Sequence, residues 1–327
     1  MQTITKEALK VMPDFQQNGD DITVSKYCQI LRGYRSGKND VPVLIKMVGG
    51  EIDPYLTGPE RVSTLDALCH QMGRYHRILG DNGVNVSDNH TVHRTRDSVL
   101  EVTIDGGPNI HTLLKECTRS EAAGYIKEIL KSTLPILENP DIGIDLHPGN
   151  FVIYRDNMRF IDFLPARYRT RDDVPLVGIP QPSPRDPMLD YLYQRYYQPE
   201  RIMRRLWFTL SLFEQDYEKL FFRALAKVLT KKQYDLITSF INELPFNRMR
   251  ELKKKGRTQE ILNIIDEFGY QDIDDIRESS TLFCKPITRS WIFRLTGIDL
   301  FKPEADRAQG IIDAKAIIMK AVEDTMA

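Results

Sequence analysis

Cysteine is scarce: the 327 residues hold four, Cys28, Cys69, Cys117 and Cys284, far apart and without metal-ligand spacing. That excludes a disulfide-built scaffold and a cysteine zinc site, and makes a reducing compartment the expectation. The six histidines include no helical pair with an acid between them, so zinc is not expected. Charge of one sign is absent as well. Lys and Arg number 45 against 46 Asp and Glu, a net charge of −1, which gives no electrostatic basis for binding nucleic acid. No apolar run is long enough for a bilayer; the most apolar stretch, Leu206-Trp-Phe-Thr-Leu-Ser-Leu-Phe213, is too short, so no membrane span is expected. Met1-Gln-Thr-Ile-Thr-Lys6 lacks the profile of a secretory leader, and a cytoplasmic location is expected. No internal repeat is visible. The length does allow a substantial core, as one large or two small domains.

The most informative stretch that is present runs from Asp145 to Phe163. Asp145-Leu-His-Pro-Gly-Asn150-Phe151 is followed by Ile161-Asp162-Phe163, so an Asp, an Asn five positions on and a second Asp twelve further stand in one segment. Between them lie two short apolar runs, Phe151-Val-Ile-Tyr154 and Met158-Arg-Phe-Ile161, separated by the turn-former Arg155-Asp156-Asn157. The reading is a loop, a small hairpin and a loop, with Asp145, Asn150 and Asp162 brought to one end. Phosphoryl transfer calls for such a set: one carboxylate orients the attacking hydroxyl, while an Asn and another carboxylate hold magnesium on the nucleotide phosphates. Positioning and charge neutralisation then make up the catalysis.

Asp-Leu-His-Pro-Gly-Asn-Phe together with Ile-Asp-Phe resembles the catalytic and metal loops of the protein-kinase-like superfamily, closest to its aminoglycoside and choline phosphotransferase branch. One departure is that Gly143 stands where that branch usually has a His, two residues before the Asp. The resemblance covers roughly Asp21 to Asp190. It implies an α+β, two-lobed kinase-like fold: a small sheet lobe with one helix over residues 1–103, and a larger, mostly helical lobe over residues 104–327. It also implies ATP and magnesium between the lobes, with Asp145 as base or orienter and Asn150 and Asp162 as metal ligands.

The same resemblance assigns parts to the N-terminal half. Val41-Pro-Val-Leu-Ile-Lys46-Met-Val48 is an apolar strand interrupted by one cation, which is costly unless the charge finds a partner. Lys46 is the expected phosphate-binding Lys. Tyr27–Tyr34 and Val41–Val48 flank Arg35-Ser-Gly-Lys-Asn-Asp40, a hairpin signal. Pro59 to Leu79 reads as a helix, capped by Thr57 or Gly58 and ended by Gly80 to Gly83. Glu60 is the helical Glu expected to pair with Lys46, with Asp66 and Gln71 as rivals by spacing. Val99-Leu-Glu-Val-Thr-Ile104 resembles the hinge strand: Leu100 at the back of the pocket, the Glu101 carbonyl and the Thr103 amide facing adenine. A glycine-rich phosphate loop is not evident, a second departure from the pattern: by spacing it falls near Asn18–Lys26, which holds one Gly and two acids, with Ser25 and Lys26 able to touch phosphate.

Beyond the metal loop, helices are expected over Pro199–Leu229, Lys232–Leu244, Thr258–Phe268 and Gln309–Asp324, and Asp190 is a candidate brace for the catalytic loop. The basic clusters Arg167–Arg171, Arg201–Arg205 and Lys253–Arg257 read as solvated faces, the first also as an anion contact. The expected function is ATP- and Mg-dependent phosphorylation of a small-molecule hydroxyl of sugar, aminoglycoside or amino alcohol type. The alternatives are a non-catalytic nucleotide-binding scaffold and a kinase acting on protein.

Overall fold

A computed structural model describes residues 3–24, 29–36, 40–48, 58–163, 195–215, 217–296 and 304–326. The protein is α+β, with a small antiparallel sheet region and a larger helical part. Helix α1 (Thr3–Val11) precedes strands β1 (Phe15–Val24), β2 (Gln29–Arg35) and β3 (Val41–Val48). Helix α2 (Gly58–Asp81) leads to β4 (Thr91–Arg94) and β5 (Val99–Ile104). The sheet order is β1-β2-β3-β5-β4, all antiparallel, so β5 inserts between β3 and β4.

Side chains alternate across a strand, so the register assigns each one a face. Leu31, Val43, Ile45, Leu100 and Val102 share one face with Phe15, and Ile4 and Ala8 of α1, one helical turn apart, close over it with Met12. The sequence reading gave no helix at Thr3–Val11; its short apolar stripe works only against this sheet. The opposite face carries Leu44, Lys46 and Val48 of β3 beside Thr103, Glu101 and Val99 of β5. There Leu65, Leu68 and Met72 of α2 pack on Val48 and Val99. Full burial of each such aliphatic side chain contributes about 1.5–3 kcal/mol. Leu100 therefore belongs to the core under α1 and not to the back of a pocket. Helix α2 ends where Gly83 takes a positive φ of 82° and the Val84 N–H donates to the Leu79 carbonyl.

A short helix α3 (Ile110–Leu113) and α4 (Arg119–Leu137) follow, the latter started by a reciprocal capping box between Thr118 and Glu121. Next come a 3-10 turn at Pro148–Asn150 and the hairpin β6 (Phe151–Tyr154) and β7 (Asn157–Phe160). Tyr154 pairs with Asn157, so the turn has two residues, and both Arg155 (φ 49°) and Asp156 (φ 62°) are left-handed. That is the backbone of a type I′ hairpin turn. The helical stretch expected from Pro199 to Leu229 is two helices, α5 (Pro199–Ser211) and α6 (Glu218–Val228), and α6 packs on α4. The remaining helices are α7 (Lys231–Glu243), α8 (Pro245–Lys254), α9 (Thr258–Glu267), α10 (Ile273–Phe283), α11 (Pro286–Leu295) and α12 (Glu304–Met326).

The chain separates into two compact units, one of Met1–Pro180 with Tyr196–Leu229, the other of Gln181–Arg195 with Thr230–Ala327. The sheet, the β6–β7 hairpin, Lys46, Glu101, Asp145, Asn150, Asp162 and Arg205 belong to the first. Among the described residues no helix is long and apolar enough to cross a membrane.

Candidate functional site

Lys46 sits in the middle of β3 on the face away from α1, and it is 8 % exposed. A buried ammonium needs oxygen around it. Its Nζ donates to the Ile161 carbonyl at 2.7 Å and lies 3.5 Å from Glu101 Oε2 and 3.7 Å from Asp162 Oδ1. Strand and metal-loop residues 115 positions apart thus meet at one cation.

The carboxylate beside Lys46 comes from the neighbouring strand. Glu101 is its cross-strand partner and is completely buried. Burial alone would raise the Glu101 carboxyl, but Lys46 and the His90 ring, 3.3 Å away, outweigh it and hold the group below the usual carboxylate range. Glu101 and Thr103, which the resemblance puts at a hinge, both stand in β5. The register pairs them with Lys46 and Leu44, so their backbones lie inside the β3–β5 ladder, and Thr103 is also fully buried. Glu60 lies within α2, but its side chain is outside the described residues, as are Ser25, Lys26, Asp190 and the Arg167–Arg171 cluster. Asp66, a rival partner, is bonded to Arg94 at 2.8 Å instead. Of the Asn18–Lys26 stretch, the described residues 18–24 run within β1, with a register shift between Gln17 and Ile22.

Phe163 anchors the Ile161–Phe163 segment. It is fully buried, and its ring meets His90 at 4.5 Å, His76 at 4.9 Å and Tyr75 at 6.4 Å between centroids. His76 stacks on His90 at 4.3 Å and bonds the Ser87 carbonyl through Nε2. Burial, then the neighbouring His90, push the His76 imidazole below its ordinary value.

Asn150 ties the two loops together. Its Nδ2 donates to the Asp145 carbonyl at 3.0 Å, and its own backbone carbonyl accepts from the Ile161 N–H at 2.9 Å. The amide oxygen Oδ1 is the atom left for a cation. His147 caps the 3-10 turn by accepting the Gly149 N–H on Nδ1. Burial, then the Arg205 charge, push the His147 imidazole down to about 4, so it is neutral with its proton on Nε2.

Gly143, the departure from the motif, has a steric cause. A β-carbon there would sit 2.8 Å from the Tyr196 carbonyl oxygen and 3.1 Å from the Tyr197 ring. The loop is braced from outside: the Tyr75 hydroxyl donates to the Gly143 carbonyl at 2.6 Å, and the Ile144 N–H donates to the Tyr196 carbonyl at 3.0 Å. Spacing alone could not show that bracing.

Lys46, Asn150 and Asp162 line one cavity of about 410 Å3. Ile30, Leu44, Ile104, Val152 and Ile161 supply apolar walls, and Asp105, Gly106 and Gly107 form the turn at its margin. Gly106 has to be glycine, since a β-carbon would lie 2.6 Å from Val152 Cγ2. Asp145 is not among the residues lining this cavity; its backbone carbonyl is joined to Asn150, and its Oδ1 lies 3.5 Å from Nε of Arg205 on α5. Arg205 was passed over in the sequence as part of a solvated cluster. The available signal was that it falls on an otherwise buried stretch of helix, Ile202 to Leu210.

No family model matches the chain, and no curated protein matches it at a significant level.

Proposed function

We propose that the protein is an ATP- and Mg-dependent phosphotransferase with a two-lobed, kinase-like architecture, acting on the hydroxyl of a small molecule. The observation that carries this reading is the meeting of Lys46, Asn150 and Asp162 at one cavity of about 410 Å3, within the range of small-ligand sites. Its apolar side chains suit a flat base, and its Lys and oxygen donors suit phosphates and a hard cation.

The donor set fits magnesium: a carboxylate on Asp162 and an amide oxygen on Asn150, both hard oxygen ligands. When bound, the ion neutralises charge on the nucleotide phosphates. Lys46 holds phosphate oxygens, kept in place by the Ile161 carbonyl and by Glu101. Asp145 orients the acceptor hydroxyl and takes its proton. The Asn150 bond to the Asp145 carbonyl keeps base and metal ligand in fixed register.

The test has two stages. Thermal shift with ATP, with and without magnesium, reads binding; phosphate transfer to a panel of sugars, aminoglycosides and amino alcohols reads turnover. Asp145→Asn should lower kcat about 10²–10⁴-fold with ATP affinity nearly intact. Magnesium-dependent ATP binding with no turnover on any acceptor would favour the non-catalytic scaffold, and transfer to protein alone a protein kinase.

A further inference from the structure

We propose that Arg205 is a further catalytic residue, whose guanidinium leaves Asp145 to hold the phosphoryl group as it is transferred. The inference rests on the phosphotransferase reading and adds a group to that site.

Two observations on geometry carry it. Arg205 Nε lies 3.5 Å from Asp145 Oδ1, too far for the 2.7–2.9 Å typical of a charge-assisted hydrogen bond. Among the described residues Arg205 Nε is buried and makes no hydrogen bond, while a third of the side chain is exposed. The guanidinium is therefore held beside the base by charge, without a directional bond, and its remaining N–H groups are open to a ligand.

The loop itself brings no positive charge to this place. His147, two residues from Asp145, is neutral, and Arg205 contributes to keeping it so. Lys46 is engaged with Ile161, Glu101 and Asp162. Among the described residues, α5 places the Arg205 guanidinium beside Asp145.

Charge balance then gives Arg205 a part that changes during the reaction. Before transfer it faces the Asp145 carboxylate. As the acceptor oxygen forms its bond to the γ-phosphorus, the acceptor O–H bond breaks and its proton passes to Asp145. The bond from the γ-phosphorus to the bridging oxygen breaks, and its electron pair leaves with ADP. Asp145 is now neutral, the charge of the broken bond has left on ADP, and the phosphoryl group, still a dianion, has moved onto the acceptor oxygen beside Arg205. A guanidinium that has lost its carboxylate gains a phosphate, which is stabilisation that grows toward the transition state. Its fork suits two phosphoryl oxygens at once, as a Lys ammonium does not.

The test compares wild type with Arg205→Ala and Arg205→Lys, following transfer from Mg-ATP to water or to the acceptor panel, with melting temperature read alongside. Arg205→Ala should lower kcat about 10²–10³-fold and leave KM for ATP within about twofold. Added guanidinium ion should restore part of kcat, and Arg205→Lys should fall between the two. An active wild type whose Arg205→Ala variant keeps its kcat, or loses it without rescue by guanidinium or by Lys, overturns this role and leaves the phosphotransferase reading standing. A wild type that transfers no phosphoryl group to any acceptor, water included, overturns both.

Discussion

Lys46 and Glu101 are cross-strand partners on β3 and β5 whose charged ends lie 3.5 Å apart, and Glu101 has no exposure to solvent. Neither charge is tolerable without the other. Removing one member of a buried pair strands the other, while removing both is far milder. Glu101→Gln should therefore destabilise the protein by about 3 kcal/mol, and Lys46→Met by a comparable amount, since Glu101 would keep only His90. The double variant should cost no more than either single change, a coupling of about 3 kcal/mol. Urea unfolding of the four proteins gives the coupling; simple additivity would mean that the pair is not energetically linked.

The proposed metal ligand Asp162 gives a binding prediction. Asp162→Ala removes the carboxylate from the shared cavity and should abolish the magnesium-dependent part of ATP's thermal stabilisation. Calorimetric titration of ATP in EDTA and in magnesium separates this from general weakening. An undiminished magnesium effect in the variant would place the ion elsewhere.

Position 143 should reject even a methyl group. Gly143→Ala forces its β-carbon against the Tyr196 carbonyl at 2.8 Å, a backbone contact that cannot swing away. The expected cost is about 1–3 kcal/mol, with a fall in kcat from displacement of the catalytic loop. Tyr75→Phe, which loses only the bond to the Gly143 carbonyl, should cost about 1 kcal/mol. Melting curves and kcat measured together decide whether loop placement is what both changes disturb.

His147 sets a pH dependence of stability. Its imidazole falls from an ordinary value of 6.5 to about 4 in the fold, so the unfolded chain binds a proton there first as pH drops. The contribution is whole above pH 6.5 and is lost as pH falls toward 4, by about 2–3 kcal/mol. His147→Asn retains an acceptor for the Gly149 N–H and does not titrate. Its stability between pH 7 and 5 should be flatter than that of wild type in chemical denaturation at each pH.

The β6–β7 turn offers a stabilising change. Asp156 has a φ of 62° beside a second left-handed residue, Arg155. Asp156→Gly removes the steric cost of that backbone and should raise stability by about 0.5–1 kcal/mol. ATP affinity, read by titration, should stay the same.

Some of this was legible in the sequence because the signals are local. The Arg155-Asp156-Asn157 turn between two apolar runs gave the β6–β7 hairpin, and with it the neighbourhood of Asn150 and Asp162. A single cation in Val41–Val48 marked Lys46 as a residue in need of oxygen. What was not legible depends on which strand lies beside which. Glu101 looked like backbone for a ligand because nothing in the sequence says that β5 inserts next to β3. Once it does, two apolar strands each broken by one charge of opposite sign explain one another. Arg205 and Tyr75 reach the catalytic loop from helices distant in sequence, and the crowding that requires Gly143 comes from Tyr196 and Tyr197.

The placement of Glu101 has a consequence for motion. Because Lys46 and its carboxylate ride on adjacent strands of one ladder, they can part only when that ladder opens. A tilt of α2 alone does not part them. Hydrogen exchange of the Lys46 and Glu101 amides and exposure of the two charges then belong to a single cooperative event, with a free energy near that of unfolding the sheet. The cation is set when the sheet forms and stays set for as long as the sheet lasts.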